Sequence, residues 1–277
     1  MPFSRRLFLQ LLPIWPLTAA ATAKAALQFG VVPQFPAEQI HRDWFPLLRQ
    51  LSQQSGIELE LKLFPNIPAF EQALFSGQLD IAYANPYHAV MAQKSEGYLP
   101  FLRDNSTQLT GILLTPNEGG ISDLAQLQQK EIAFPAPNAF GASLLLRAWL
   151  SEKEKLRFTP RYVKTHSNVF RQVISKMVPA GGAIRQTLQR EPAEIQAQLK
   201  ILYETPGFPS HPLIHHPRVP PSQAQQLQQR LLQMAREANT QPMLAAAGLA
   251  KPVACSDGEY APLQRLGLER YVVKDWD

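Results

Sequence analysis

Between Leu27 and Asn85 the sequence alternates between short extended runs and longer helical ones. LQFGVVP reads as a strand, AEQIHRDWFPLLRQLSQQSG as a helix closing on Gly56, and IELELKLF as a strand with clean period-2 alternation. IPAFEQALFSGQ is again helical, and LDIAYAN extended. Strands that alternate with helices imply right-handed crossovers onto a mainly parallel sheet, and such sheets bind ligands at the carboxyl ends of their strands. Gln34, Asn66 and Asn85 lie at three of those ends.

A second unit with the same grammar follows TGILLTP. SDLAQLQQ is a short capped helix, EIAFPAP a strand, FGASLLLRAWLSEKE a helix and RYVKTH a strand. SNVFRQVISKMV is another helix, for which Ser167 is the expected N-cap. LKILYETP is a strand that runs into a Pro-rich connection, SHPLIHHPRVPP, and the tail carries a helix over 222–238. The stretch FPAPNAFGAS turns a strand through two prolines and a glycine onto a helix start. The first amides of a helix have no partner within it and point outward, so this is a natural anion site, although the turn has no Lys or Arg.

The first 25 residues read as an export signal: a basic start at Arg5 and Arg6, an apolar run from Leu7 to Leu17, and small-residue cleavage sites ending at Ala23 and Ala25. SRRLFLQ has the twin-arginine form used to export folded proteins. The run is too short and too Pro-broken to span a bilayer, and no cysteine follows it to carry a lipid, so the expectation is a free periplasmic protein. Removing Arg5, Arg6 and Lys24 leaves 24 basic residues against 22 acidic ones, which argues against nucleic acid as a partner despite the basic whole chain. Cys255 is the only cysteine, which excludes an intramolecular disulfide.

In order and spacing, FGVVPQFPAEQIHRDWFPLLRQLSQQSG, FSGQLDIAYANPYHAV, THSNVFRQV, YETPGFPSHP and DGEYAPLQRL resemble the periplasmic phosphonate-binding family of substrate-binding proteins that serve ABC importers. The resemblance implies an α/β, two-lobed type II periplasmic binding protein fold, each lobe a mainly parallel sheet flanked by helices, with the ligand cleft between them. Residues 26–112 and 206–277 would form one lobe and 113–205 the other, with hinges near TGILLTP and LKILYETP. It further implies a small oxyanion (phosphonate-, phosphite- or phosphate-like) as ligand, a membrane permease as partner, no cofactor, and a monomer. The family's hydroxyl-rich ligand turn falls here on Asn138, Ala139 and Phe140, followed by Gly141 and Ala142. Asn138 would donate through its side chain, and the amides of Phe140, Gly141 and Ala142 through the backbone. Tyr87 and His166 match family positions that hold the ligand, with Asn85, Ser167, Gly182 and Gln34 as secondary contacts.

Other readings stay open at this point. The same lobes can report a ligand to a membrane sensor kinase, and an enzyme on this fold, such as a pyrimidine-precursor synthase, is a further alternative. His211, His215 and His216 raise a metal site, but adjacent His215 and His216 on extended chain point opposite ways and no cysteine or acid cluster accompanies them, so a hinge loop is the expectation. No G-x-S-x-G elbow is present and Cys255 has no positioned base in sequence, which leaves no catalytic residues to name.

Overall fold

The structure, a computed structural model, describes residues 25–274. The leader, except Ala25, lies outside the described residues. The chain first builds β1 (Leu27–Val31), α1 (Ala37–Ser55), β2 (Leu59–Lys62), α2 (Ile67–Phe75), β3 (Ile81–Tyr83), α3 (Pro86–Glu96) and β4 (Leu99–Asp104). A second set follows: β5 (Gly111–Pro116), β6 (Glu131–Phe134), α4 (Leu145–Glu152), β7 (Thr159–Tyr162), α5 (His166–Ile174), β8 (Ala180–Ile184), α6 (Arg185–Gln189) and β9 (Leu199–Glu204). The chain then returns through β10 (Pro212–His215) and β11 (Pro252–Ala254).

Two sheets result. The first runs β11-β4-β10-β3-β1-β2 and the second β7-β6-β8-β5-β9. β1 pairs in parallel with β2 and β3, and β6 with β7 and β8, as strand–helix alternation requires. The expectation of mainly parallel sheets needs correction, because both are mixed. β10 is antiparallel to both β3 and β4, and β5 is antiparallel to both β8 and β9. The cause is connectivity: a strand that arrives from the other lobe needs no crossover helix, so nothing forces it parallel.

Each lobe has its own core. In the first, α1 lays Ile40, Trp44, Leu47, Leu48 and Leu51 onto the sheet beside Phe29, and each such side chain contributes roughly 1.5–3 kcal/mol. That burial carries the helix through Pro46, whose missing N–H costs about 3 kcal/mol in a helix interior. The helix ends at Gly56 with φ 67°, a left-handed position that glycine occupies without Cβ strain. In the second lobe Val169, Phe170 and Val173 of α5 pack under the sheet, and Leu146 and Leu150 of α4 cover its other face.

The connections between lobes run side by side. Leu109 and Phe208 exchange both backbone hydrogen bonds at 2.9 Å, and Thr205 N–H donates to the Gly111 carbonyl at 2.8 Å. The segments named as hinges in the sequence, TGILLTP and LKILYETP, are β5 and β9 themselves, so the crossovers lie just outside them. SHPLIHHP also differs from expectation: Pro212–His215 is an interior strand, with Pro212 as its first residue, where a missing N–H is tolerated. A third connection comes from the chain end. Val273 N–H donates to Asn138 Oδ1 and its carbonyl accepts from Asn138 Nδ2, while the Tyr271 carbonyl accepts from Arg147.

Candidate functional site

The FPAPNAFGAS stretch leaves β6 and enters a single turn of π-helix, Phe140–Leu144, that continues as α4. The amides of both Ser143 and Leu144 donate to the Ala139 carbonyl. Among the described residues no acceptor takes the amides of Phe140, Gly141 or Ala142, although all three residues are buried. Three consecutive buried N–H groups without partners are a strong acceptor-binding feature, because leaving each unpaired costs about 1–3 kcal/mol. Two glycines let the sheet come this close. A Cβ on Gly111 would lie 2.2 Å from the Gly141 carbonyl oxygen, and one on Gly182 would lie 2.2 Å from that of Ala142.

The residues of this turn line a cavity of about 10 Å³, room for one water-sized group, walled by both lobes. The first lobe contributes Val32, Gln34, Ile67 and Asn85, the second Ala139, Phe140, Gly141, Ala142, His166 and Ile184, and the connections Leu109 and His211. Gln34, Leu109, Ile184 and His211 also border an adjoining chamber of about 220 Å³ that reaches Phe35, Tyr83, Asp104 and Arg190. Across that chamber Arg190, which caps the C-terminus of α6, donates to Asp43 of α1 at 2.5 Å and to the Ala246 carbonyl, and lies 4.5 Å from the Phe35 ring centre.

Of the residues singled out in the sequence, Gln34, Asn85, Ala139, Phe140, Gly141, Ala142 and His166 meet at the cavity. Asn85 caps α3 by accepting the His88 amide at 2.8 Å, which leaves its Nδ2 to donate. His166 is 2% exposed, and burial pulls its pKa down to about 3, so the ring is neutral. Its tautomer follows from its neighbour. The Thr187 hydroxyl donates to the Ile184 carbonyl at 2.8 Å, so it must accept, at 3.1 Å, a proton carried on His166 Nδ1. Nε2 is then a lone pair.

Four residues sit elsewhere. Asn138 cannot supply the donor assigned to it: Nδ2 is divided between Glu71 Oε2 (3.0 Å) and the Val273 carbonyl (2.8 Å). Tyr87 stacks parallel to Phe140, ring centres 6.3 Å apart, outside the cavity lining; among the described residues its hydroxyl has no partner, and burial with nearby Glu269 pushes its pKa up to about 12. Ser167 is not the N-cap. Thr165 caps α5 by accepting the Asn168 amide, and the Ser167 hydroxyl donates to Glu191 at 2.5 Å. Gly182 lies under the turn in β8, behind the Ala142 carbonyl.

His211 was missed as a cavity residue because the sequence presents it in a histidine run. The three histidines diverge: His211 stacks on Tyr83, His215 faces Phe101, and His216 meets Tyr98 and Glu96. Among the described residues no group of three His, Cys, Asp or Glu is placed to hold a metal. Cys255 is held as a thiol, its pKa pushed up to about 12 by burial and nearby Glu259.

The lobes are latched by Glu71, 7% exposed, which takes His88 Nε2 (2.8 Å) and Asn138 Nδ2 (3.0 Å) on its two oxygens. Replacing Glu71 by alanine strands both donors at a cost of about 2 kcal/mol. The melting temperature is expected to drop by about 4–8 °C. A drop below about 1 °C in a thermal melt would show that the latch contributes nothing.

The profile of the family described as ABC transporter, phosphonate, periplasmic substrate-binding protein matches residues 29–260. A binding protein component of an ABC phosphonate transporter from Pseudomonas aeruginosa superposes with TM-score 0.80 at 19% identity, over 89% of this chain and 87% of that one. A Prochlorococcus marinus protein solved with methylphosphonate gives 0.79 at 14%, over 90% and 99%. A Xanthomonas citri protein solved with chloride gives 0.72 at 18%, over 89% and 98%. These likenesses establish the two-lobed α/β architecture expected from the sequence.

Proposed function

Because the chain belongs to the family of periplasmic substrate-binding proteins of ABC phosphonate transporters, we propose that it captures a small tetrahedral oxyanion between its lobes and delivers it to an importer permease. The family consists of binding proteins, not enzymes, and it is periplasmic. The observation that carries the ligand class is the cluster of unpartnered amides at Phe140, Gly141 and Ala142, residues that line, with Asn85 and His166, a cavity of water size that the lobes must part to widen for an oxyanion. The ligand's oxygens accept from the amides and from Asn85 Nδ2, while Phe140 and Ile184 exclude water around them.

In this reading the protein acts as a monomer, exported by its twin-arginine leader and cleaved near Ala23 or Ala25. Residues 26–112 with 206–277 and residues 113–205 move as two lobes about the paired crossovers, and closure presents the surface that the permease reads. Thermal-shift titration with methylphosphonate, phosphite, phosphate and methanesulfonate tests the ligand class. At about 100 times the dissociation constant, a ligand adds roughly 2.7 kcal/mol, or about 5–10 °C. Stabilisation by apolar or cationic compounds alone would overturn the reading.

A further inference from the structure

We infer that the cavity selects a protonated, singly charged oxyacid: the ligand keeps one X–OH, which donates to Nε2 of His166, while its other oxygens accept from the amides of Phe140, Gly141 and Ala142. This rests on the oxyanion reading above and adds the protonation state that the site recognises.

The hydrogen-bond chain fixes the polarity of the site. Ile184 O accepts from Thr187, Thr187 accepts from His166 Nδ1, and the free ring nitrogen can therefore only accept. The same cavity offers the three amides and Asn85 Nδ2 as donors, beside Gln34 and His211, whose side chains can donate or accept. A ligand whose oxygens are all deprotonated satisfies the donors but sets a lone pair against the lone pair of Nε2. A ligand with one hydroxyl satisfies both sides.

The surrounding charges favour the same species. Among the described residues no Lys or Arg lines the cavity. The groups facing His166 are Thr187 from α6, the Gln34 carbonyl, which accepts the His166 amide at 3.4 Å, and His211, itself buried and kept neutral. His88 is engaged by Glu71. Arg190 is spent on Asp43 and Ala246, Asp104 on Ser106 and the Lys251 amide, and Glu191 on Ser167. One cation lies behind the turn: Arg147, 7% exposed, donates to Ser143 Oγ and to the carbonyls of Pro137 and Tyr271, and among the described residues no carboxylate is its partner. A single buried guanidinium balances one negative charge, not two.

Methylphosphonate and methanesulfonate have nearly the same shape, but only the first carries a hydroxyl near neutral pH. Isothermal titration at pH 6.5 and 8.5, in two buffers of different ionisation enthalpy, separates them. Methylphosphonate is expected to bind about 100-fold or more tighter than methanesulfonate at pH 6.5. Above the ligand's last pKa its affinity should fall about tenfold per pH unit, with uptake of about one proton from the buffer. Equal affinities, or tighter phosphonate binding at pH 8.5, would overturn the selection while leaving the oxyanion reading intact; binding of neither compound, nor of phosphate or phosphite, would overturn both. Thr187→Val removes the acceptor that fixes the tautomer, so the preference for phosphonate over sulfonate should shrink about tenfold, with folding checked by circular dichroism. An unchanged preference in the folded variant would sink the tautomer argument.

Discussion

Lowering the pH from 7 to 5 is expected to remove on the order of 4 kcal/mol of folding free energy, a loss of about 8–16 °C in melting temperature. The cause is a pair of histidines, His166 and His211, both buried at the junction of the lobes and both pulled down to about 3 by loss of solvation. In the unfolded chain each protonates near its ordinary value of about 6.5. Below that pH the unfolded state binds protons that the folded state refuses, so stability rises with pH and is lost as pH falls from about 6.5 toward 3. Each group contributes about 1.4 kcal/mol per pH unit inside that window. His211→Phe keeps the stack on Tyr83 and removes one titrating group, so the slope of stability against pH should roughly halve. A melting temperature that stays level between pH 7 and 5 would show that the rings charge freely in the folded protein.

Gly182→Ala is expected to destabilise the protein by about 2–3 kcal/mol and to weaken ligand binding together with it. The new methyl group would stand 2.2 Å from the Ala142 carbonyl oxygen and 2.6 Å from the Phe134 ring. Neither can retreat easily. Phe134 is fully buried in β6, and the carbonyl belongs to the turn whose amides face the cavity. Relief therefore comes from pushing the turn off β8, which misaims the three N–H groups. Thermal melting and methylphosphonate titration check the two effects. A variant that loses stability but keeps its affinity would show that the turn holds its shape without the sheet beneath it.

Much of this was legible from local sequence. The alternation over 27–85 gave the first lobe's parallel strands because period 2 and period 3.6 are properties of neighbours in the chain. The unpartnered amides of the turn at Phe140–Ala142 were legible for the same reason: a helix start exposes amides whatever lies across from it. What sequence could not resolve is where side chains spend their hydrogen bonds. Asn138 is claimed by Glu71, 67 residues away, and by Val273, 135 residues away; Ser167 is claimed by Glu191. His211 gave only the signal of a histidine run, and its place at the cavity is set by β10 slotting between β3 and β4. That slot also makes the first sheet mixed, as β5 does the second. Strand direction depends on where the chain re-enters, which periodicity does not encode.

The bond between the chain end and Asn138 makes the two-lobed body a three-cable suspension. With only the paired crossovers, the lobes could both swing apart and twist about the line joining them. The segment from Tyr271 to Val273 is tied to Asn138 and Arg147 beside the Phe140–Leu144 turn, a third tie that a twist of one lobe on the other would have to stretch. Any motion that parts the lobes must therefore also break the bonds of Tyr271 and Val273 to the residues flanking the turn.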